Sequence, residues 1–326
     1  MFLDHAFGDR RTRARFVEIF RKEPKRGRTL GSAKKIARKS KSRRLKAINK
    51  RKATRVTARD AGYLETIVAH IRVCGAYKPK MGQGSKASLS LSDFQKLYRA
   101  DPFYAWFGLD HPLMYAAHKA AGGMTSIYRQ IGKGCENVFR QILRDELGLT
   151  ATDVTWSYTV PTGKKKPRVL SLDGRIPSAA IKDPVKKERF MNWVLAAAKD
   201  LDVADGVAHV LEGAVFEVRQ GYKSKDSKRQ NGDISNASMA YTKGLLPCVL
   251  VLSTQFDNDL YIRYRAAEWA ILLGSRDSGQ AACLTSTYAF MKEVIGYDWA
   301  GFFERNASTL RKEIDKVLDS LLRADK

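Results

Sequence analysis

The side chains in this sequence best suited to chemistry are two carboxylates and a guanidinium: Asp173, Glu217 and Arg219. Asp173 ends the apolar run Val169-Leu170-Ser171-Leu172 and precedes Gly174, which would let the backbone turn sharply and leave the carboxylate accessible. Glu217 lies inside Val215-Phe216-Glu217-Val218-Arg219. Period-two alternation sets Val215, Glu217 and Arg219 on one face of a strand and Phe216, Val218 and Gln220 on the other. A carboxylate and a guanidinium therefore project together from an otherwise apolar strand. Two carboxylates on neighbouring strand ends suit Mg²⁺, which takes one or two carboxylates plus waters and phosphate oxygens. Such an ion polarises a phosphoryl group and lowers the pKa of a bound water. The chemistry this set points to is phosphodiester hydrolysis. Each part also has a plain structural reading, Glu217 and Arg219 as an ion pair on a half-buried sheet and Asp173-Gly174 as a turn.

The residues after the strand fit a polyanionic substrate. Lys223, Lys225, Lys228, Arg229 and Gln230 follow Glu217 closely, among Ser224, Ser227 and Asn231. Lysine and arginine hold phosphates, while glutamine, asparagine and arginine read base edges. Lys223 could also reach back toward the reacting water. Other chemistries lack their residues. The five histidines (His5, His70, His111, His118 and His209) form no metal-ligand pattern, and Gly132-Lys133-Gly134 lacks the remaining spacing of a phosphate-binding loop. Cys74, Cys135, Cys248 and Cys283 are widely separated and include no Cys-x-x-Cys pair, which argues against a zinc site or a disulfide framework and fits a reducing, cytoplasmic setting.

Charge supports the same partner. Lys plus Arg is 59 and Asp plus Glu is 34, a formal net charge of +25. Residues 1–60 hold 22 basic and 5 acidic residues, so 22 − 5 = +17 of that total lies in this segment. Neutralising phosphates releases condensed counterions, so a concentrated basic segment favours nucleic acid. Lys34, Lys35, Arg38, Lys41, Arg43 and Arg44 are the expected contacts of this arm. No apolar run is long enough to cross a bilayer, and the first residues lack a signal-peptide core.

The elements that must position the site follow from periodicity. Tyr63, Leu64, Ile67, Val68 and Ile71 have helical spacing. Leu91 to Ala120 reads as helical, with Phe103, Tyr104, Trp106 and Phe107 expected in a core. Gly122-Gly123 should break it, and a new helix should run from Thr125 to Leu147 with Gly148 as its stop. Val154–Val160 and Arg168–Ile176 read as a hairpin, and Val185–Leu201 as a helix. Gly213–Gln220 and Pro247–Ser253 read as strands, Asp226–Tyr241 and Asp257–Ala267 as helices, and Trp269–Leu273 as a last strand. A terminal helix carries Trp299, Phe302, Phe303, Leu310, Ile314, Val317, Leu318 and Leu321 on one face. This order predicts a mixed α/β sheet flanked by helices. Three segments are expected: a basic nucleic-acid-binding arm at 1–60, a helical region at 61–124 and an α/β catalytic domain at 125–326.

Motif and element order together resemble the PD-(D/E)XK nuclease superfamily, whose core is a helix, a three-stranded meander, a helix and a strand. In that resemblance Asp173 matches the acid ending the second strand, Glu217 matches the acid of the third, and Glu136 on the preceding helix matches the accessory glutamate. The helix Val185–Leu201 would be an insertion. Arg219 stands where the family carries lysine. Arginine stays protonated and so cannot serve as a general base, but it can stabilise charge on the phosphate. The resemblance implies a type II-like restriction endonuclease, Mg²⁺ on Asp173 and Glu217, double-stranded DNA as substrate, a homodimer, and no small-molecule cofactor. The alternative is a non-enzymatic DNA- or RNA-binding protein that works through its basic arm. Such a protein has no use for a carboxylate pair that repels phosphate.

Overall fold

The computed structural model describes residues 58–81, 87–160, 167–221 and 236–322, all within one compact unit that starts at Ala58. The arm residues Lys34, Lys35, Arg38, Lys41, Arg43 and Arg44 lie outside the described residues, as do Lys223, Lys225, Lys228, Arg229 and Gln230.

A four-stranded mixed sheet forms the centre, in the order β3 (Gly174–Pro177), β4 (Gly213–Arg219), β5 (Leu245–Val251) and β6 (Ala270–Leu272). Strand β3 runs antiparallel to β4, while β4 with β5 and β5 with β6 run parallel. A separate hairpin of β1 (Trp156–Val160) and β2 (Arg168–Leu172) leads into β3. The main helices are α1 over 58–72, α2 (Leu91–Ala100), α3 (Pro102–Trp106), α4 (Pro112–Leu147), α5 (Pro184–Asp200), α6 over 236–242, α7 (Asn258–Ala266) and α8 (Trp299–Leu322).

Strands β4 and β5 are near-continuous apolar runs because both faces of the sheet are covered. Ala214, Phe216, Val218, Leu246, Cys248 and Leu250 pack against Ile67 of α1, Phe139 of α4, Phe190 of α5 and Phe302 of α8. Val215, Val249 and Val251 face the other way, toward Trp156 and Leu172 of the hairpin and Leu260 and Tyr264 of α7. Alternation along β4 therefore separates two cores, and Glu217 shares the second direction.

Helix α4 departs from the sequence reading. It runs unbroken for 36 residues, Pro112–Leu147, capped by His111 at its start and by Gly148 at φ +71° at its end. Gly122 and Gly123 do not break it. A Cβ on Gly122 would stand 2.1 Å from the Tyr77 hydroxyl oxygen, and one on Gly123 2.5 Å from a Leu321 methyl. These glycines form a notch in which the loop after α1 and the end of α8 are seated. The boundary expected between residues 124 and 125 falls inside this helix. Tyr63, Ile67 and Ile71 of α1 belong to the same core as the sheet.

Two further expectations change. The strand expected over 168–176 is two strands divided at Asp173, the first pairing with β1 and the second with β4. The aromatic run after α2 is not core: Trp106 is 81 % exposed, and Phe103 and Phe107 are also exposed. The short helix α3, capped by the Asp101 carboxylate, carries them outward, while Phe94 and Tyr115 fill the interior beside it.

Candidate active site

Asp173 occupies the single-residue break between β2 and β3. The register that pairs Gly174 with Phe216 continues to set Asp173 opposite Glu217. Here the chain leaves the ladder to join β1. The Asp173 carboxylate meets the neighbouring strand, with Oδ2 accepting from Val218 N at 2.9 Å. Gly174 has a role other than a sharp turn. It lies in β3 without a positive φ, and a Cβ there would stand 2.8 Å from the Phe139 ring. The missing side chain lets α4 press against the strand end that carries Asp173.

Glu217 and Arg219 share a face of β4, as alternation requires, and the Arg219 guanidinium is in direct contact with the Glu217 carboxylate. Its other terminal nitrogen lies 3.9 Å from Asp173 Oδ2. One guanidinium thus spans both acids, and Glu217 is only 5 % exposed. From the other side comes Arg140 of α4. Its Nη1 donates to Glu136 Oε1 at 2.8 Å and to the Asp173 backbone carbonyl at 2.7 Å. Its Nη2 donates to Asn137 Oδ1 at 2.5 Å.

Among the described residues the cluster holds three carboxylates (Asp173, Glu217 and Glu136) and two guanidinia (Arg219 and Arg140). Burial pushes the Asp173 carboxyl up to about 6, and the nearby Glu136 charge adds to this. Arg219, the Val218 N–H and Arg140 pull in the opposite direction without cancelling it. The oxygens of Asp173 and Glu217 are donors of the kind a hard divalent cation prefers, and the Arg219 guanidinium, set against both, occupies the place such a cation would take. Glu136 does not add a third ligand: it is tied to Arg140, and among the described residues no three His, Cys, Asp or Glu side chains cluster closely enough to hold a metal ion.

No family model, no curated protein and no solved structure matches this chain. The site must therefore be read from its own geometry. The structure brings together Asp173, Glu217 and Arg219, with Glu136 beside them. The sequence reading missed Arg140, Asn137 and His70. Arg140 had a visible signal, since it lies four residues after Glu136 and so on the same helix face. Asn137 and His70 had none, because their roles depend on how α1 packs against α4. Among the described residues, no helix is long and apolar enough to cross a membrane.

Proposed function

We propose that this chain is a Mg²⁺-dependent endonuclease of double-stranded DNA, site-specific in the manner of type II restriction enzymes. The observation that carries the reading is the convergence of Asp173 and Glu217, from adjacent strands, around one guanidinium, with the Asp173 carboxyl raised to about 6. The element order supports the reading: helix α4, the hairpin, the bent strand β2–β3, β4, α6 and a parallel β5 resemble the order expected of a PD-(D/E)XK core, with α5 inserted before β4. The net charge of +25 suits a polyanionic substrate.

In this reading Asp173 and Glu217 hold the ion. When bound, it supplies Lewis acidity to the phosphoryl group and makes a bound water a stronger acid. Arg219 then turns its charge toward the phosphate, where it stabilises the additional negative charge of the transition state. It accepts no proton, since a guanidinium remains charged at any working pH. Glu136 keeps Arg140 in place, and Arg140 fixes the backbone at Asp173.

The test is incubation of the full chain with long unmethylated duplex DNA, with and without Mg²⁺. Discrete fragments formed only with Mg²⁺, and none from the Glu217→Gln variant, support the reading. A second reading, binding without cleavage, is favoured by one observation: Arg219 already pairs with both carboxylates, and a closed ion cluster requires no metal. DNA that is bound but left intact with Mg²⁺ overturns the nuclease reading in favour of that one.

A further inference from the structure

Behind the carboxylates runs a chain of hydrogen bonds that begins on a different helix. His70 of α1 places Nδ1 3.0 Å from Gln130 Oε1 and Nε2 2.9 Å from Asn137 Nδ2. A carboxamide oxygen only accepts and a carboxamide nitrogen only donates. In this arrangement Nδ1 donates to Gln130 and Nε2 accepts from Asn137. Asn137 is fixed at both ends. Its nitrogen donates to His70, and its oxygen accepts from Arg140 Nη2 at 2.5 Å. Turning the amide over would set an N–H₂ against the guanidinium, a repulsive contact. With Nδ1–H donating to Gln130 Oε1, the Nε2 of His70 accepts from the orientation that the guanidinium selects.

The chain ends at the site. Arg140 passes the constraint to the Asp173 carbonyl, 2.7 Å from Nη1. That carbonyl sits in the break between β2 and β3, where the strand pairing changes from β1 to β4. The helix contact that makes the relay possible is close. At Gly134 a Cβ would lie 3.0 Å from Ile67 Cα, so α1 and α4 approach near enough for these short side chains to meet.

We propose that Asn137, oriented by His70, is a positioning residue for the nuclease site: it holds Arg140 against the Asp173 carbonyl and so fixes the strand break that presents Asp173 to Glu217. Asn137 itself reaches no reacting atom. The proposal rests on the nuclease reading for its effect on turnover. Its structural content stands without that reading and is tested separately.

The experiment compares the full chain with Asn137→Leu and Asn137→Asp. Aspartate keeps an acceptor for Arg140 and can pair with a protonated His70, whereas leucine removes both bonds. Without Mg²⁺ or DNA, nitrogen NMR of the wild type is expected to show neutral His70 protonated at Nδ1. It is also expected to show separate Nη1 and Nη2 signals for a held Arg140. In Asn137→Leu the Arg140 signals should merge and the Gly174 amide, which follows the latched carbonyl, should shift. Asn137→Asp should keep the Arg140 signals separate. In DNA cleavage, Asn137→Leu should lower kcat at least tenfold with KM within about twofold, and Asn137→Asp should recover to within about threefold of wild type. If Asn137→Leu does not fold, Asn137→Ser replaces it, being too short to reach Arg140.

A His70 proton on Nε2, or an Arg140 that remains held in the leucine or serine variant, overturns the proposal. So does wild-type kcat in that variant. If the wild type cuts no DNA, the nuclease reading fails alone and the NMR outcomes decide whether the relay positions Asp173.

Discussion

Two buried carboxylate clusters in this molecule are built from the same residue types and behave in opposite ways. Glu313 on α8 is 5 % exposed and accepts from Arg72 Nε and Lys316 Nζ, each at 2.8 Å. Arg72 also pairs with Glu65 at 3.2 Å, but both cations bond Glu313 directly, and the hydrogen bonds from Arg72 and then Lys316 hold its carboxyl down at about 2. At Asp173, among the described residues, three acids share two guanidinia, and burial with the Glu136 charge lifts the carboxyl to about 6. Direct bonds from two cations hold Glu313, and the one from Arg72 ties α8 to α1. A carboxyl raised mainly by burial is the kind of perturbed group that gathers at functional sites.

The comparison breaks most visibly in catalysis. Asp173→Ala and Glu217→Ala should each lower DNA cleavage by about 10³-fold or more, equivalent to about 4 kcal/mol of transition-state stabilisation. Duplex affinity measured without metal should stay within a few-fold, and Glu313→Gln should cleave like wild type. Equal losses in all three would show that the two clusters do not differ in role. Next in size, Arg219→Ala should cost on the order of 10²-fold in kcat, as loss of one charge stabiliser does. Arg219→Lys should keep partial activity, and equal rates in both variants would make Arg219 purely structural.

Stability sharpens the contrast through opposite signs. A carboxyl raised in the folded state binds more protons there than in the unfolded chain. The Asp173 contribution is therefore most favourable below about pH 4 and is lost as pH rises through about 6. Asp173→Asn should then raise stability by about 1–2 kcal/mol at pH 8 and change it little at pH 4, as followed by urea melts at both pH values. Glu313 works the other way. Its lowered carboxyl contributes above its ordinary value of 4.5, and the contribution is lost as pH falls through about 2. Glu313→Gln should lower the thermal midpoint at pH 7, with the difference shrinking toward pH 2. This is the smallest effect expected, because the side chains of Arg72 and Lys316 are 54 % and 71 % exposed.

The site residues were legible where a local rule was enough. Period-two alternation placed Glu217 and Arg219 together because β4 is a regular strand, and Asp173 stood out because an acid ends an apolar run. The mixed sheet followed from the order of helices and strands. What failed depended on partners distant in sequence. Gly122-Gly123 reads as a helix break until Tyr77 and Leu321 are seen to fill the space. Gly174 reads as a turn until Phe139 is seen beside it. The run from Phe103 to Phe107 has the composition of a core, but a five-residue helix turned it outward. The relay from His70 to Arg140 needs two helices in register, and no spacing within either one encodes that.

The notch at Gly122-Gly123 also sets an order of events in the making of the protein. Helix α4 carries Glu136, Asn137 and Arg140, yet the part that seats in its notch includes Leu321, which the ribosome adds after every strand of the sheet. A nascent chain that has emerged only through β6 owns both carboxylates but lacks the wedge that locks the long helix behind them. The seat of the long helix is thus completed only when the α8 segment that carries Leu321 has been made.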